Sequence, residues 1–382
     1  LWKAMNALHP IRPVVAMYPE RAWSELVSES ELVCEDTLLR TWELSLRQTI
    51  FHSEYIDDDR PIHGVLMVPW VIDWGTIGVE TKTVHADGPG AEAIRWDPPI
   101  KTMKDLEKLR FRTLSIDRNE THRRESVAQE LFGDIIPVEI YGGLPFWSVG
   151  LSQLIQLRGL EQAMIDMYEQ PELLHALMRF LRDDRMRVMD VLEKEQVLSV
   201  NDKTKIDYFI GSGHEGYTDE LPAVDFSGNV RWKDMWGLGE MQEFSGVGPD
   251  QFYEFSLQYQ VPLLERFGLT SYGCCEPLDR MYGMLKKTLP NLRRVSVTSP
   301  YADKKTAADS LGTDTVFAWK PNPTPLAMPA VDWDWVEKDM RETIELARGC
   351  CLEIVMKSTE TFRGDPDRVR RWVKLARGLV ED

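Results

Sequence analysis

A regular alternation of two local patterns runs from about residue 200 to the C-terminus of this chain. Short apolar runs typical of buried strands lie at 230–243, 269–272, 292–299, 315–320 and 351–357. Amphipathic runs typical of helices lie at 252–267, 278–289, 304–311, 333–348 and 367–379. Strands that alternate with helices over short connections predict a parallel sheet. Continued around the chain, the pattern predicts an α/β fold, a distorted (β/α)8 barrel of the TIM type.

The N-terminal part of the chain is less regular. A strand is predicted at 135–141, and two long helices at 160–192 are divided near Gln170-Pro171. Segment 63–78 is apolar and aromatic without a helical period, and we expect it to form strand and loop over the barrel mouth. We therefore predict one domain over 1–382, with an irregular part at 1–130 and regular β/α units at 131–382. No Gly-x-Gly-x-x-Gly lies between one of the predicted strands and a helix, which disfavours a dinucleotide-binding fold.

Charge and cysteine content narrow the possible partners and the compartment. The net charge of −17 argues against binding to nucleic acid or to an anionic membrane surface. No run approaches 18 apolar residues, so we expect no membrane span. The five cysteines are odd in number and include two adjacent pairs, and no secretory leader pattern is visible. We therefore expect a reduced, cytoplasmic protein.

Segment 271–278, with the sequence SYGCCEPL, carries the clearest chemical signal. Two thiols and a carboxylate lie where the predicted strand 269–272 gives way to a loop, which is where α/β folds present their chemistry. Strand alternation directs Tyr272, Cys274 and Glu276 to one side and Cys275 to the other, if the strand continues that far. Sulfur beside a carboxylate indicates part of a zinc site, with Cys275 as the alternate ligand.

The remaining ligands must come from other segments. Glu243, one strand earlier, and His214, in the glycine-rich loop 211–216, are the candidates. Each also has an ordinary interpretation, because Glu243 can be solvated or ion-paired and His214 can be a plain loop residue. A cysteine at a strand end can likewise be a small buried apolar residue. Lys320, at the end of a predicted strand, is equally suited to an anionic ligand and to an ion pair.

Five short motifs together resemble the uroporphyrinogen decarboxylase superfamily. They are Gln242-Glu243-Phe244, Tyr272-Gly273-Cys274-Cys275-Glu276, Gly312-Thr313-Asp314, Lys320-Pro321-Asn322-Pro323 and Gly364-Asp365-Pro366. That superfamily joins the haem-pathway decarboxylase to corrinoid-dependent methyltransferases on a shared distorted (β/α)8 barrel. The resemblance implies this barrel for most of the chain, most firmly from residue 232 onward.

The branches of the superfamily differ in their site residues. The decarboxylase carries an arginine-rich stretch after Arg-Pro-Val. Here the stretch after Arg12-Pro13-Val14, up to Trp23, contains a single arginine, Arg21, which lies beside Glu20. A substrate with many carboxylates is therefore not expected. The thiol-activating methyltransferases carry His-x-Cys and a later cysteine as zinc ligands. Cys274 matches this motif, but Tyr272 stands in the histidine place and strand 351–357 leads into Ser358-Thr359 without a cysteine.

The resemblance implies a zinc-dependent methyltransferase that passes a methyl group from a small donor to cobalamin on a separate corrinoid protein. Carboxylate ligands in place of the His/Cys/Cys set make the bound zinc a harder Lewis acid. A harder zinc prefers a substrate whose methyl group is carried by oxygen. The 13 tryptophans suit a substrate with an aromatic ring, although tryptophans also serve as core anchors. The carboxylates and the tryptophans together favour an aryl methyl ether as the methyl donor. Tyr272 and Lys320 are the candidate catalytic residues. A metal-free decarboxylase or lyase that uses a tyrosine and a lysine as acid and base, and a non-catalytic binding protein, are the alternatives.

Overall fold

A six-stranded parallel sheet organises the computed structural model, which describes residues 1–85, 94–144, 151–202 and 210–381. The strands in chain order are β1 (Val14–Met17), β2 (Leu66–Pro69), β3 (Ile72–Asp73), β4 (Lys82–His85), β5 (Ile94–Asp97), β6 (Ser115–Ile116), β7 (Val138–Tyr141), β8 (Trp236–Gly239), β9 (Leu269–Tyr272), β10 (Leu292–Thr298), β11 (Val316–Lys320) and β12 (Cys351–Met356). The large sheet has the order β1-β12-β11-β10-β9-β8. Strands β2 and β7 form a second parallel pair, and β3-β6 and β4-β5 are antiparallel pairs.

Helices connect these strands and cover the sheet. They are α1 (Trp2–Asn6), α2 (Trp23–Leu26), α3 (Thr37–Tyr55), α4 (Arg118–Phe132), α5 (Gln153–Arg158), α6 (Leu160–Glu169), α7 (Pro171–Lys194), α8 (Pro249–Phe252), α9 (Gln258–Leu264), α10 (Tyr282–Thr288), α11 (Lys304–Leu311), α12 (Thr324–Ala327), α13 (Trp333–Leu346) and α14 (Asp367–Glu381). A π-helical turn, Tyr253–Leu257, joins α8 to α9. In the described parts of the chain, no helix has both the length and the apolar character that a bilayer span requires.

The predicted alternation in the C-terminal part is confirmed. Strand β9 and helix α11 have the predicted bounds, and β10, β11 and β12 differ from theirs by a single residue at one end. Aspartate side chains cap α11 and α13, since Asp303 accepts the Thr306 amide hydrogen and Asp332 that of Trp335. Two predicted elements are shorter than expected, because strand 230–243 contracts to β8 and helix 278–289 to α10.

The N-terminal part is more ordered than the sequence patterns indicate. Strand β1 pairs in parallel with β12, in a register that places Val14 opposite Glu353. Helix α3 runs for 19 residues from its cap Asp36, whose side chain accepts the amide hydrogens of the second and third helical residues. Within the predicted strand-and-loop segment 63–78, β2 pairs in parallel with β7. The predicted break near Pro171 is confirmed, because that proline begins α7.

The described strands show an α/β fold with a parallel six-stranded sheet, as the sequence predicts. An extended segment bridges the two parallel sheets: the Ser199 amide donates to the carbonyl of Gly142, just after β7, and Asn201 bonds both backbone groups of Trp236 in β8. This bridge places the β2-β7 pair beside the β8 edge of the large sheet. The complete closed barrel stays a prediction.

Candidate active site at the strand ends

The carboxyl ends of β9, β10, β11 and β12 surround a cavity of about 280 Å³. Loops at this end of parallel strands vary freely without disturbing the sheet, which is why α/β proteins place their chemistry here. Two thiols, Cys274 and Cys275, and two lysines, Lys320 and Lys357, line the cavity. The sequence analysis singled out three of these four residues and missed Lys357, which follows β12 directly.

A larger cavity of about 640 Å³ lies between α3 and β2. Its lining is mostly aliphatic and hydroxylic, and it shares no described lining residue with the strand-end cavity. We assign the candidate site to the smaller cavity because buried titratable groups with displaced pKa values cluster around it.

The two thiols lie side by side rather than on opposite faces. Strand β9 ends at Tyr272, and Gly273 adopts a φ of +95°, a conformation that glycine tolerates best, so strand alternation stops before Cys274. The two Sγ atoms are 3.6 Å apart, and Lys357 Nζ lies 3.4 Å from Cys274 Sγ and 4.0 Å from Cys275 Sγ. The hydrogen bond from Cys274, together with the Lys357 charge, lowers the pKa of Cys275. The pair therefore holds one thiolate more readily than an isolated cysteine does.

Three carboxyl groups gather on the other side of Cys274. Glu276 is buried, and its oxygens accept the amide hydrogens of Cys274 at 2.8 Å and Met241 at 3.1 Å. Burial, followed by repulsion from Glu276 and Glu243, raises the pKa of Glu240 to about 8. Burial also raises the pKa of Glu243, whose Oε2 has no hydrogen-bond partner among the described residues. The sequence analysis missed Glu240, although its spacing of three from Glu243 in a tight loop was a usable signal.

The structure places His214 away from these carboxyl groups. Its ring is completely buried, and Nε2 lies 3.3 Å from Ser296 Oγ in the middle of β10. Nδ1 has no hydrogen-bond partner in the described parts of the chain. Burial, strengthened by the charges of Lys320, Arg294 and Lys357, lowers the pKa of His214 far below its usual range. The ring is therefore neutral at physiological pH.

Lys320 forms the floor of the cavity, with only 1% of its surface exposed. Its Nζ is 3.9 Å from Glu353 Oε1 and makes no hydrogen bond to a described residue. The other Glu353 oxygen is taken by Arg294, whose Nε lies 2.9 Å away. Burial therefore outweighs the attraction of Glu353 and lowers the pKa of Lys320 to about 7.

Tyr272, the other candidate catalytic residue, lies in the core. Its hydroxyl donates to Gln260 Oε1 of α9 at 3.1 Å, and its ring packs edge-on against Phe252. Gln260 in turn donates to the carbonyl of Glu240. This contact links Tyr272 to the carboxyl cluster rather than to the cavity lining.

The side chains of the carboxyl cluster are of the types that bind zinc, but their positions in this structure do not form a zinc site. In the described residues, no three His, Cys, Asp or Glu side chains are arranged as a metal-binding group. The donor set is nevertheless suitable, since it offers the Cys274 thiol, the buried carboxyl groups of Glu240 and Glu276, and the half-buried Glu243, whose Oε2 has no partner among the described residues. A dication would relieve the mutual repulsion that raises the pKa of Glu240. The structure does not bring His214 into this set.

Comparison with known proteins supports the fold. No protein-family model matches the sequence, and no curated protein matches it. Among solved structures, a methyltransferase from Methanosarcina mazei is similar over 98% of this chain and 97% of its own, with a TM-score of 0.51 and 12% sequence identity. At this identity, the likeness shows a shared fold alone. It extends over nearly the whole length of both chains.

Proposed function

We propose that this chain is a methyltransferase that passes a methyl group from a small donor to the corrinoid of a separate protein. The observation that carries the proposal is the cavity at the ends of β9–β12, with its buried acid, thiol and lysine groups, in a fold shared end to end with a methyltransferase. The short motifs of the uroporphyrinogen decarboxylase superfamily support a closed (β/α)8 barrel and the corrinoid-dependent branch.

The residues of this chain have to position the donor and assist its leaving group. A methyl group leaves an ether oxygen as the partner's corrinoid accepts it, and the oxygen then carries negative charge. The partner's cobalt supplies the nucleophile. Glu240 keeps its proton at neutral pH because its pKa is about 8, so its carboxyl can donate that proton to the developing oxyanion. Burial of the cavity lining excludes water from this transfer.

We further propose that zinc binds on the carboxyl side of Cys274. Cys274 and Glu276 would hold it, with Glu243 completing the set, so that Glu240 stays available as the proton donor. When bound, zinc supplies a Lewis acid that polarises the ether oxygen. Cys275 is the alternate ligand if Cys274 stays paired with Lys357.

Metal analysis tests the zinc proposal directly. We expect about one zinc per chain in chelator-washed protein, and a clear loss of zinc in the Cys274→Ser variant, because a hydroxyl is a much weaker zinc ligand than a thiolate. Inductively coupled plasma mass spectrometry gives the ratio. The matched control is Cys34→Ser, which removes a thiol near α3 and should leave the zinc content unchanged. Zinc absent from the wild type, or retained in Cys274→Ser, would contradict this ligand set.

A demethylation assay tests the methyltransferase itself. Purified protein is incubated with a set of aryl methyl ethers and reduced cobalamin, and the demethylated phenol is measured by chromatography. We expect phenol to form only when both protein and corrinoid are present, since the proposal makes the corrinoid the methyl acceptor. Phenol formation without corrinoid would contradict transfer to a corrinoid, and no turnover of any donor would count against the methyltransferase.

One observation favours a second candidate, a metal-free lyase or decarboxylase of the same superfamily. Lys320 is buried at the cavity floor with a pKa near neutrality, which suits a group that both takes and gives a proton. Release of carbon dioxide from a small acid, without metal or corrinoid, would favour this activity over methyl transfer.

A further inference from the structure

The strand-end cavity has a cationic floor and an apolar rim. Lys320 lies at the floor, almost completely buried. Pro300, Tyr301, Pro321 and Pro323 line the upper part, and Tyr301 keeps 68% of its surface exposed. A ligand that matches this cavity has a charged end and a flat apolar body.

The Lys320 ammonium lacks the partner that its burial requires. Among the described residues, its nearby carboxylate is Glu353, at 3.9 Å, which already forms a fully buried ion pair with Arg294. One carboxylate therefore faces two buried cations. A buried ammonium with no hydrogen bond is costly, and Glu353, which Lys320 shares with Arg294, relieves that cost only in part. An anionic ligand would supply the missing acceptor.

The charges around Lys320 also favour an anion. Lys357 lines the same cavity, and Arg294 lies below. His214 is neutral and adds no negative charge. The carboxyl groups of Glu240, Glu243 and Glu276 are not part of the described lining, since they gather on the far side of Cys274. Lys357 is already beside the Cys274–Cys275 pair, which holds a thiolate readily, so Lys320 is the cation that faces the contents of the cavity together with hydroxyl groups.

We propose that this floor binds the carboxylate of the methyl donor, so that the substrate class is a methoxylated aromatic acid. The inference rests on the proposed methyltransferase function. With the carboxylate held at Lys320, the ring lies between the prolines and Tyr301, and the ether oxygen lies beside the Cys274–Cys275 pair, next to the carboxyl cluster. The methyl group then faces the opening, where a separate corrinoid protein has access. The volume of about 280 Å³ accommodates a single substituted ring but not a larger ligand.

Binding measurements separate the carboxylate anchor from catalysis. Isothermal titration calorimetry compares 4-methoxybenzoate with its neutral counterpart 4-methoxybenzyl alcohol, and benzoate with inorganic phosphate. We expect both carboxylates to bind at least about tenfold more tightly than the alcohol, because a charge-assisted hydrogen bond contributes that much. Lys320→Met should remove this preference and leave binding of the alcohol unchanged. Lys305→Met, which removes an exposed lysine, should keep the preference.

The possible outcomes distinguish the anchor from the methyltransferase. Equal affinity for the acid and the alcohol, or a preference that survives in Lys320→Met, would overturn the anchor. Phosphate that binds as tightly as benzoate would overturn the assignment to a carboxylate. If Lys320→Met fails to fold, Lys320→Gln serves instead, since it keeps a polar N–H donor and removes the charge. Tight benzoate binding without demethylation would support the anchor and count against the methyltransferase. Demethylation of neutral ethers alone would support the methyltransferase and count against the anchor.

Discussion

Replacing Cys274 by serine or Glu276 by glutamine should lower the rate of methyl transfer at least about 100-fold while the fold persists. Both side chains lie at the junction between the cavity and the carboxyl cluster. Glu276 orders this junction because its two oxygens hold the amides of Cys274 and Met241. Glutamine turns one of these acceptors into a donor that faces an amide hydrogen, which displaces the loop after β9.

The loss of activity has to be separated from a loss of stability. Circular dichroism and urea unfolding of both variants show whether the fold persists, and the demethylation assay gives the rate. Cys34→Ser controls for the removal of a thiol elsewhere in the chain and should retain full activity. If Cys274→Ser and Glu276→Gln both remain fully active, the site does not include these residues.

Replacing Arg294 by methionine should lower the free energy of unfolding by about 3 kcal/mol. Arg294 and Glu353 are completely buried, and the variant leaves the Glu353 carboxylate without its partner at 2.9 Å. Lys320, at 3.9 Å, compensates only in part. The loss should therefore lie near the lower end of the range for broken buried ion pairs rather than the upper end.

Urea unfolding of the single and double variants tests this ion pair. Arg294→Met combined with Glu353→Leu should be less destabilised than the sum of the two single variants, because the double variant contains no unpaired Glu353. The surface pair Lys305–Asp309 is the control, and Lys305→Met should change stability little, since both partners are exposed to solvent. Strict additivity in the buried pair would contradict the coupling.

The sequence patterns predict the C-terminal half well because local signals there agree with the tertiary structure. Strands β10, β11 and β12 are apolar runs, and the helices α11 and α13 that lie between them in the chain have aspartate caps. Both signals depend only on neighbouring residues. Helix α3 was missed because only Trp42 and His52 of its 19 residues are fully buried, which leaves a weak apolar stripe. Strand β1 was missed because its four residues are all buried. A short apolar run of this kind has no alternation that would distinguish a strand from a buried helix segment.

Some residues of the candidate site were likewise predictable from local sequence signals, and others were not. Cys274, Glu276, Glu243 and Lys320 are predictable because each lies at or just after the end of a strand, and parallel strands bring their carboxyl ends to one edge. The position of His214 was not predictable, because the buried loop around it is held by contacts such as that from Asn6 to the Glu215 carbonyl, 209 residues apart. Lys357 was missed because its partner Cys274 is 83 residues away.

The sequence by itself determined which segments of the C-terminal half form strands and helices, and that thiol and carboxyl groups stand at strand ends. Only the tertiary structure decided that Lys320 is a buried cation with an insufficiently paired ammonium, that Lys357 contacts the thiols, and that Glu240 joins the carboxyl cluster. The physical reason is the sequence separation between the residues that interact. Backbone conformation follows from residues within a few positions, whereas burial and charge pairing depend on groups that the chain brings together from distant segments.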